Sequence, residues 1–351
     1  MAGGQPARPP RWATGGLAVA AGLALAACAA RAPNVGPSGG GPAPAASPTG
    51  SAGTRTTSAG PPAPLTDLAA ASAADAQRRA VALALSGSDP HGLTSADVVY
   101  QEFAAPVRYI AVFQSKEATG VGPVTSTQPT DGQALSVLRP LFGYDGGTPV
   151  FTKELDHTQV TNLGRSTHPS LYSTAGPGVS ASTNTFQRAA RGGGAPPQIF
   201  FFRGQGGAQS SVLANAHLSR PSAAKVTVPG YGTESWAYDS KTGLWALTGG
   251  GPKAGVANVV VQMVPYKQAV VSHRAGTTVP SARLIGRGTV EVLSGRAGGS
   301  GTAAPGTWSK PHLNQLTNYV DDNGYPMAFQ PGATWVILAP KGTKVSTSGG
   351  Q

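Results

Sequence analysis

The chain has little with which to brace itself covalently. Cys28 is the one cysteine in 351 residues, which excludes an internal disulfide, a cysteine-rich metal site and, if that thiol is modified, a cysteine nucleophile. Charged residues make up only 12% of the chain. The net charge of +11 is dispersed, with no run of basic residues, so nothing resembles a nucleic-acid-binding stripe, and no nucleic-acid partner is expected. The six histidines (His91, His157, His168, His217, His273, His312) show no paired spacing. Asp156-His157 near His168 is the one local cluster, so neither a metal nor any other cofactor is expected. Long apolar runs are also missing. The longest uncharged apolar stretch, Trp12–Ala27, falls short of the about 20 residues that span a bilayer.

What that stretch does fit is an export signal. Arg8 and Arg11 precede it without any acidic residue, and it ends Leu25-Ala26-Ala27-Cys28. A branched aliphatic, two small residues and a cysteine form the pattern cut by lipoprotein signal peptidase. Residues 1–27 are therefore read as a signal, and Cys28 as the site of acylation. The mature chain would be held by palmitate-like acyl chains on the extracytoplasmic face of the cell membrane. Each buried methylene contributes roughly 0.8 kcal/mol, and stable anchoring needs more than one chain.

Glycine (49) and proline (31) are abundant, which favours strands and loops over long helices. Residues 28–64 are nearly all Ala, Gly, Pro, Ser and Thr and read as a disordered tether, about 30 Å across as a flexible coil. Folded sequence is expected from Leu65. A helix over Leu65–Arg79 is followed by strands at Ala80–Leu85, Val98–Phe103 and Val107–Gln114, then by a helix over Asp131–Leu141 and strands at Leu141–Tyr144 and Ile199–Phe202. Arg191–Pro197 and Gly204–Gly207 read as exposed loops. After Pro221 the pattern is nearly all strand: Lys225–Val228, Ser235–Tyr238, Leu244–Leu247, Val256–Val264, Arg283–Leu293, Thr307–Lys310 and Thr334–Leu338. Ser294–Gly306 reads as a floppy hairpin tip. The expected fold is α+β in two domains. Residues 65–220 would form stacked mixed or antiparallel sheets with flanking helices, and 221–343 a β-rich domain, followed by a disordered tail over 344–351.

Several motifs carry a resemblance. They are Ala96-Asp97-Val98-Val99-Tyr100-Gln101-Glu102, Arg108-Tyr109-Ile110-Ala111-Val112-Phe113-Gln114-Ser115, Gly122-Pro123-Val124, Gly146-Gly147 and Leu171-Tyr172. Further along come Asn258-Val259-Val260-Val261-Gln262, Gly286-x-Gly288, Gly306-Thr307-Trp308-Ser309-Lys310 and Pro331-Gly332-x-Thr334-Trp335. Together, over roughly residues 78–342, the chain resembles the YerB-like bacterial lipoproteins, built from the N- and C-terminal domains of unknown function 3048. The resemblance implies a two-domain α+β fold and no reaction. Two departures fall where a polar site would lie. Thr125 and Gln128 stand where the family carries arginines, and His168-Pro169 reverses the family's Pro-His.

No assembled chemistry accompanies this framework. Ser182-x-Asn184, Ser222-x-x-Lys225 and Lys241-Thr242-Gly243 echo penicillin-binding motifs, but in the wrong order. Ser88-Asp89-Pro90-His91 holds triad residue types that are too close in sequence to face one another, and it reads as a turn. Gly249–Gly251 with Lys253 has glycines for a phosphate loop but is flanked by strands. Arg108, Ser126, Gly146, Gly147, His168 and Tyr172 together suit recognition of an anionic group, because arginine offers a fork of donors and glycines expose backbone amides. Alternatively, the glycines serve turns, Tyr172 is core, and Arg108 pairs with Glu102 or Asp97. Lys310, two residues after Trp308 in the same expected strand, is either on a solvated face or at a ligand. Two functions remain open. One is a non-catalytic binding or scaffolding lipoprotein for a cell-wall polymer or envelope protein. The other is a hydrolase or transferase acting on wall material.

Overall fold

In the central strands apolar residues occupy successive positions on both faces, as a sheet covered on two sides requires. Val81, Leu83 and Leu85 face one core while Ala82 and Ala84 face a second. Val259 and Val261 against Val260, and Trp335 and Ile337 against Val336 and Leu338, divide in the same way. The computed structural model describes residues 60–176, 178–189, 192–204, 218–252, 254–272 and 276–349. The signal segment, Cys28, the tether up to residue 59, residues 205–207, His217, Lys253 and His273 lie outside the described residues.

The two-faced strands form one ten-stranded sheet. Its order is Asn318–Asp321, Thr302–Lys310, Gly286–Ser294, Asn258–Val264, Thr334–Pro340, Val98–Glu102, Arg108–Phe113, Val81–Ser86, Leu141–Gly143 and Thr161–Asn162. Its first five members come from the second half of the sequence and its last five from the first. They meet in a parallel pairing that sets Val98 against Thr334 and Glu102 against Leu338. A five-stranded sheet (Gly255–Val256, Leu244–Thr248, Gly232–Asp239, Ala223–Val228, Lys344–Ser348) belongs to the first core. Within it Trp236 meets Trp335 edge-on at 5.7 Å. The second core is completed by Ala134 and Leu135 of the helix Pro129–Leu135 and by Phe200 and Phe202.

The fold is thus mostly strand with a few short helices, and α+β holds in that coarse sense. Four local expectations are corrected. The helix foreseen over Leu65–Arg79 is a single turn, Ala73–Ala76, because its small alanines supply too little apolar surface to hold a longer one. The end of the tether is packed: Ala63 is fully buried with Ala70 and Ala76, and Pro62 bridges Ala69. Residues 294–306 are not a floppy tip, since Thr302–Gly306 continue the strand opposite Val290–Ser294. Nor is the tail disordered over its length, because Lys344–Ser348 pair with Ala223–Thr227. Here backbone hydrogen bonding to an exposed edge outweighs the polar composition.

Candidate functional site

The residues singled out in the sequence do not share one groove. Arg108 begins the Arg108–Phe113 strand opposite Glu102 and is only 3% exposed. Its Nη1 donates to Glu102 Oε2 at 2.9 Å and to Asp131 Oδ1 at 2.5 Å. Its Nη2 donates to Asp131 Oδ2 and to the Ser126 carbonyl, each at 3.1 Å. Burial by itself would lower the pKa of this guanidinium, but Asp131 and Glu102 outweigh it and hold the group above its ordinary value. Both carboxylates are fully buried and engaged elsewhere. Glu102 accepts from Thr130 Oγ1 and from the Ala282 amide, and Asp131 accepts from Thr127 Oγ1 and the Gln128 amide. This cluster ties a strand and a helix of the first half to the Thr277–Ala282 strand of the second. Arg108 is therefore an internal strut, and Glu102 and Asp131 occupy the fork that was expected to receive an anion.

Arg108 and Ser126 do line a small cleft of about 180 Å³, together with Thr125 and Gln128, but Gly146, Gly147, His168 and Tyr172 do not line it. The glycines serve the turn after Leu141–Gly143. Gly147 has φ 125°, and a Cβ there would lie 2.7 Å from Thr127 Cγ2. Tyr172 has committed its hydroxyl, which donates to the Leu163 carbonyl at 2.5 Å and accepts from the Tyr144 amide at 3.0 Å. His168 is half-buried, with Nδ1 2.9 Å from Thr167 Oγ1. Lys310 lines neither place and is buried against the helix Pro129–Leu135, its ammonium donating to the Gln133 carbonyl.

A cleft that the sequence reading missed gathers three arginines. Phe201 and Phe202 pair with Ala328 and Phe329, which brings Arg203 beside the 328–331 segment. Ser219 exchanges two backbone hydrogen bonds with Ala303, at 3.0 and 3.1 Å, and so sets Arg220 against the turn that carries Arg296. That turn is fixed from below by Tyr238, whose hydroxyl donates to the Arg296 carbonyl at 2.7 Å and accepts from its amide at 3.0 Å. Gly295 and Gly301 permit the close approach, since a Cβ on either would collide with Tyr238, the Pro221 carbonyl or Trp245. The result is a cleft of about 650 Å³ lined by Arg203, Arg220 and Arg296, with no carboxylate among its described lining residues. Burial, and then the charge of Arg296, lower the pKa of Arg203. Its own hydrogen bonds are long, 3.4 Å to Thr302 Oγ1 and 3.5 Å to the Ala328 carbonyl. Chemically this is a place for oxyanions, which guanidinium groups bind in forked pairs. The sequence signal was faint because the three arginines stand in three separate loops.

These features define a class: a β-rich protein of two sequence halves that share one sheet, with a basic cleft assembled from loops of the second half and the segment joining the halves. Within that class the chain belongs to the DUF3048 family of proteins of unknown function. The family's N-terminal domain matches residues 65–197 and its C-terminal domain residues 224–336, together more than half of the chain. The fold is similar to that in the crystal structure of the YerB protein from Bacillus subtilis. The TM-score is 0.63 at 19% identity, covering 82% of this chain and 99% of that one. No curated protein matches the chain.

Proposed function

We propose that this protein is a lipoprotein anchored through Cys28 on the extracytoplasmic face of the membrane, and that its folded part is a non-catalytic binding module for an anionic envelope component. The lipobox at Leu25–Cys28 supports the anchor. The observation that carries the binding role is the Arg203–Arg220–Arg296 cleft, basic and without a carboxylate on its described walls. These arginines have no ion pair among the described residues, and the charge of Arg296 bears on Arg203, a cost to the free protein that an anion between them relieves. A phosphate-bearing wall polymer carries a repeated oxyanion, the chemistry that such an open arginine-lined cleft selects.

The test is binding of the full chain to a poly(glycerol phosphate) at low and moderate salt. Wild type should bind and weaken as salt rises, and Arg203→Gln with Arg296→Gln should lose at least about tenfold, since each charge-assisted contact contributes roughly 1.5–3 kcal/mol. Equal binding by wild type and double variant would remove the cleft from the proposal. Mass spectrometry of the membrane-extracted protein should find acyl groups on Cys28 as its first residue, and an unmodified or differently cut N-terminus would remove the anchor.

A further inference from the structure

Lys310 ends the strand Thr302–Lys310 with only 2% of its surface exposed. Its ammonium makes one hydrogen bond, to the Gln133 carbonyl at 2.9 Å, and no ion pair among the described residues. Burial lowers its pKa to about 8, with no neighbouring charge contributing. An uncompensated buried ammonium is unfavourable, so a fold that retains one has either a use for it or a partner to bring.

The surroundings indicate the partner. Lys310 faces a void of about 20 Å³, also lined by Tyr100, Gln262 and Tyr319, which has room for about one oxygen atom. Tyr319 donates to Gln262 Oε1 at 2.8 Å, while the Tyr100 hydroxyl has no hydrogen-bond partner among the described residues. The void therefore offers unused donors from an ammonium and a phenol. Ile199, Phe200, Thr317 and Tyr319 line both this void and a larger open cleft of about 450 Å³. That cleft is otherwise mainly apolar, with Leu316, Met327 and Phe329 on its walls. It shares no lining residue with the arginine cleft. An apolar chamber of this size with a few convergent polar groups at one end is the usual form of a small-molecule site.

We propose that this chamber binds a small amphipathic carboxylic acid, with a carboxylate oxygen held by Lys310 and Tyr100 and the hydrocarbon lying along Phe200 and Met327. The experiment titrates the full chain with decanoate and with 1-decanol, following heat and melting temperature. Wild type should favour the acid by at least tenfold. Lys310→Met should abolish that preference while still binding the alcohol, and Tyr100→Phe should reduce the preference several-fold. The assignment is overturned if wild type does not distinguish acid from alcohol, or if folded Lys310→Met keeps the distinction. Should Lys310→Met fail to melt cooperatively, the wild-type preference and its several-fold reduction in Tyr100→Phe decide the matter, and an unchanged preference in that variant counts against the proposal.

Discussion

Arg108 and Lys310 are both buried cations, and their neighbours give them opposite meanings. Arg108 lies between Glu102 and Asp131 with both Nη groups engaged, so removing it would strand two buried carboxylates, a loss of about 3–5 kcal/mol. Its partner across the strand pair, Glu102, was within reach of a sequence argument. Asp131 was not, because it arrives from a separate helix. Glu291 on the Gly286–Ser294 strand gives a pH-dependent consequence. Burial first, and then Asp322, raise its pKa from 4.5 to about 7. The folded state thus holds this proton more tightly than the unfolded chain does. The stability so gained is present in full below about pH 4.5 and is lost as pH rises through about 7. Glu291→Gln should therefore melt a few degrees above wild type at pH 8, and the two should converge toward pH 4. Thermal melts across that range check it, and parallel curves would show that Glu291 is not the group responsible.

At the scale of elements, the strands buried on both faces were legible because β-branched and aromatic residues cluster in Val98–Tyr100, Val259–Val261 and Thr334–Ile337. What escaped were elements whose stability comes from a neighbour. The hairpin of Tyr266–Ser272 with Thr277–Ala282, and the edge strand Lys344–Ser348, are polar enough to pass for loops. Thr302–Gly306 is made of small residues and takes its strand form from Val290–Ser294. The arginine cleft escaped for a related reason, since strand pairings distant in sequence bring its three loops together. Lys344–Ser348 supports a direct prediction. Deleting residues 344–351 uncovers the Ala223–Thr227 edge and removes Val345, which packs against the first core. The truncated chain should melt several degrees lower and aggregate more readily, as an uncovered edge strand does. An unchanged melting temperature and unchanged light scattering would mean that the pairing contributes nothing.

At the scale of the whole molecule, the two family domains are halves of one sheet rather than separately closed bodies. Val98–Glu102 needs Thr334–Pro340 beside it, and Glu102 needs the Ala282 amide. Residues 65–220 and 221–349 expressed apart should each lack a cooperative thermal transition by near-ultraviolet dichroism, and mixing them should restore one. A sharp melt by either half alone would contradict this. The same junction also sets the timing of assembly. Thr334–Pro340 lies between Asn258–Val264 and Val98–Glu102, so this strand fills a gap framed by strands made long before it. Pairings so distant in sequence form slowly. A chain emerging N-terminus first therefore carries an open seam until Thr334–Pro340 has been delivered. Any product cut short before Thr334 keeps that seam, and with it a visible mark of incompleteness that a protease can read without recognising any sequence.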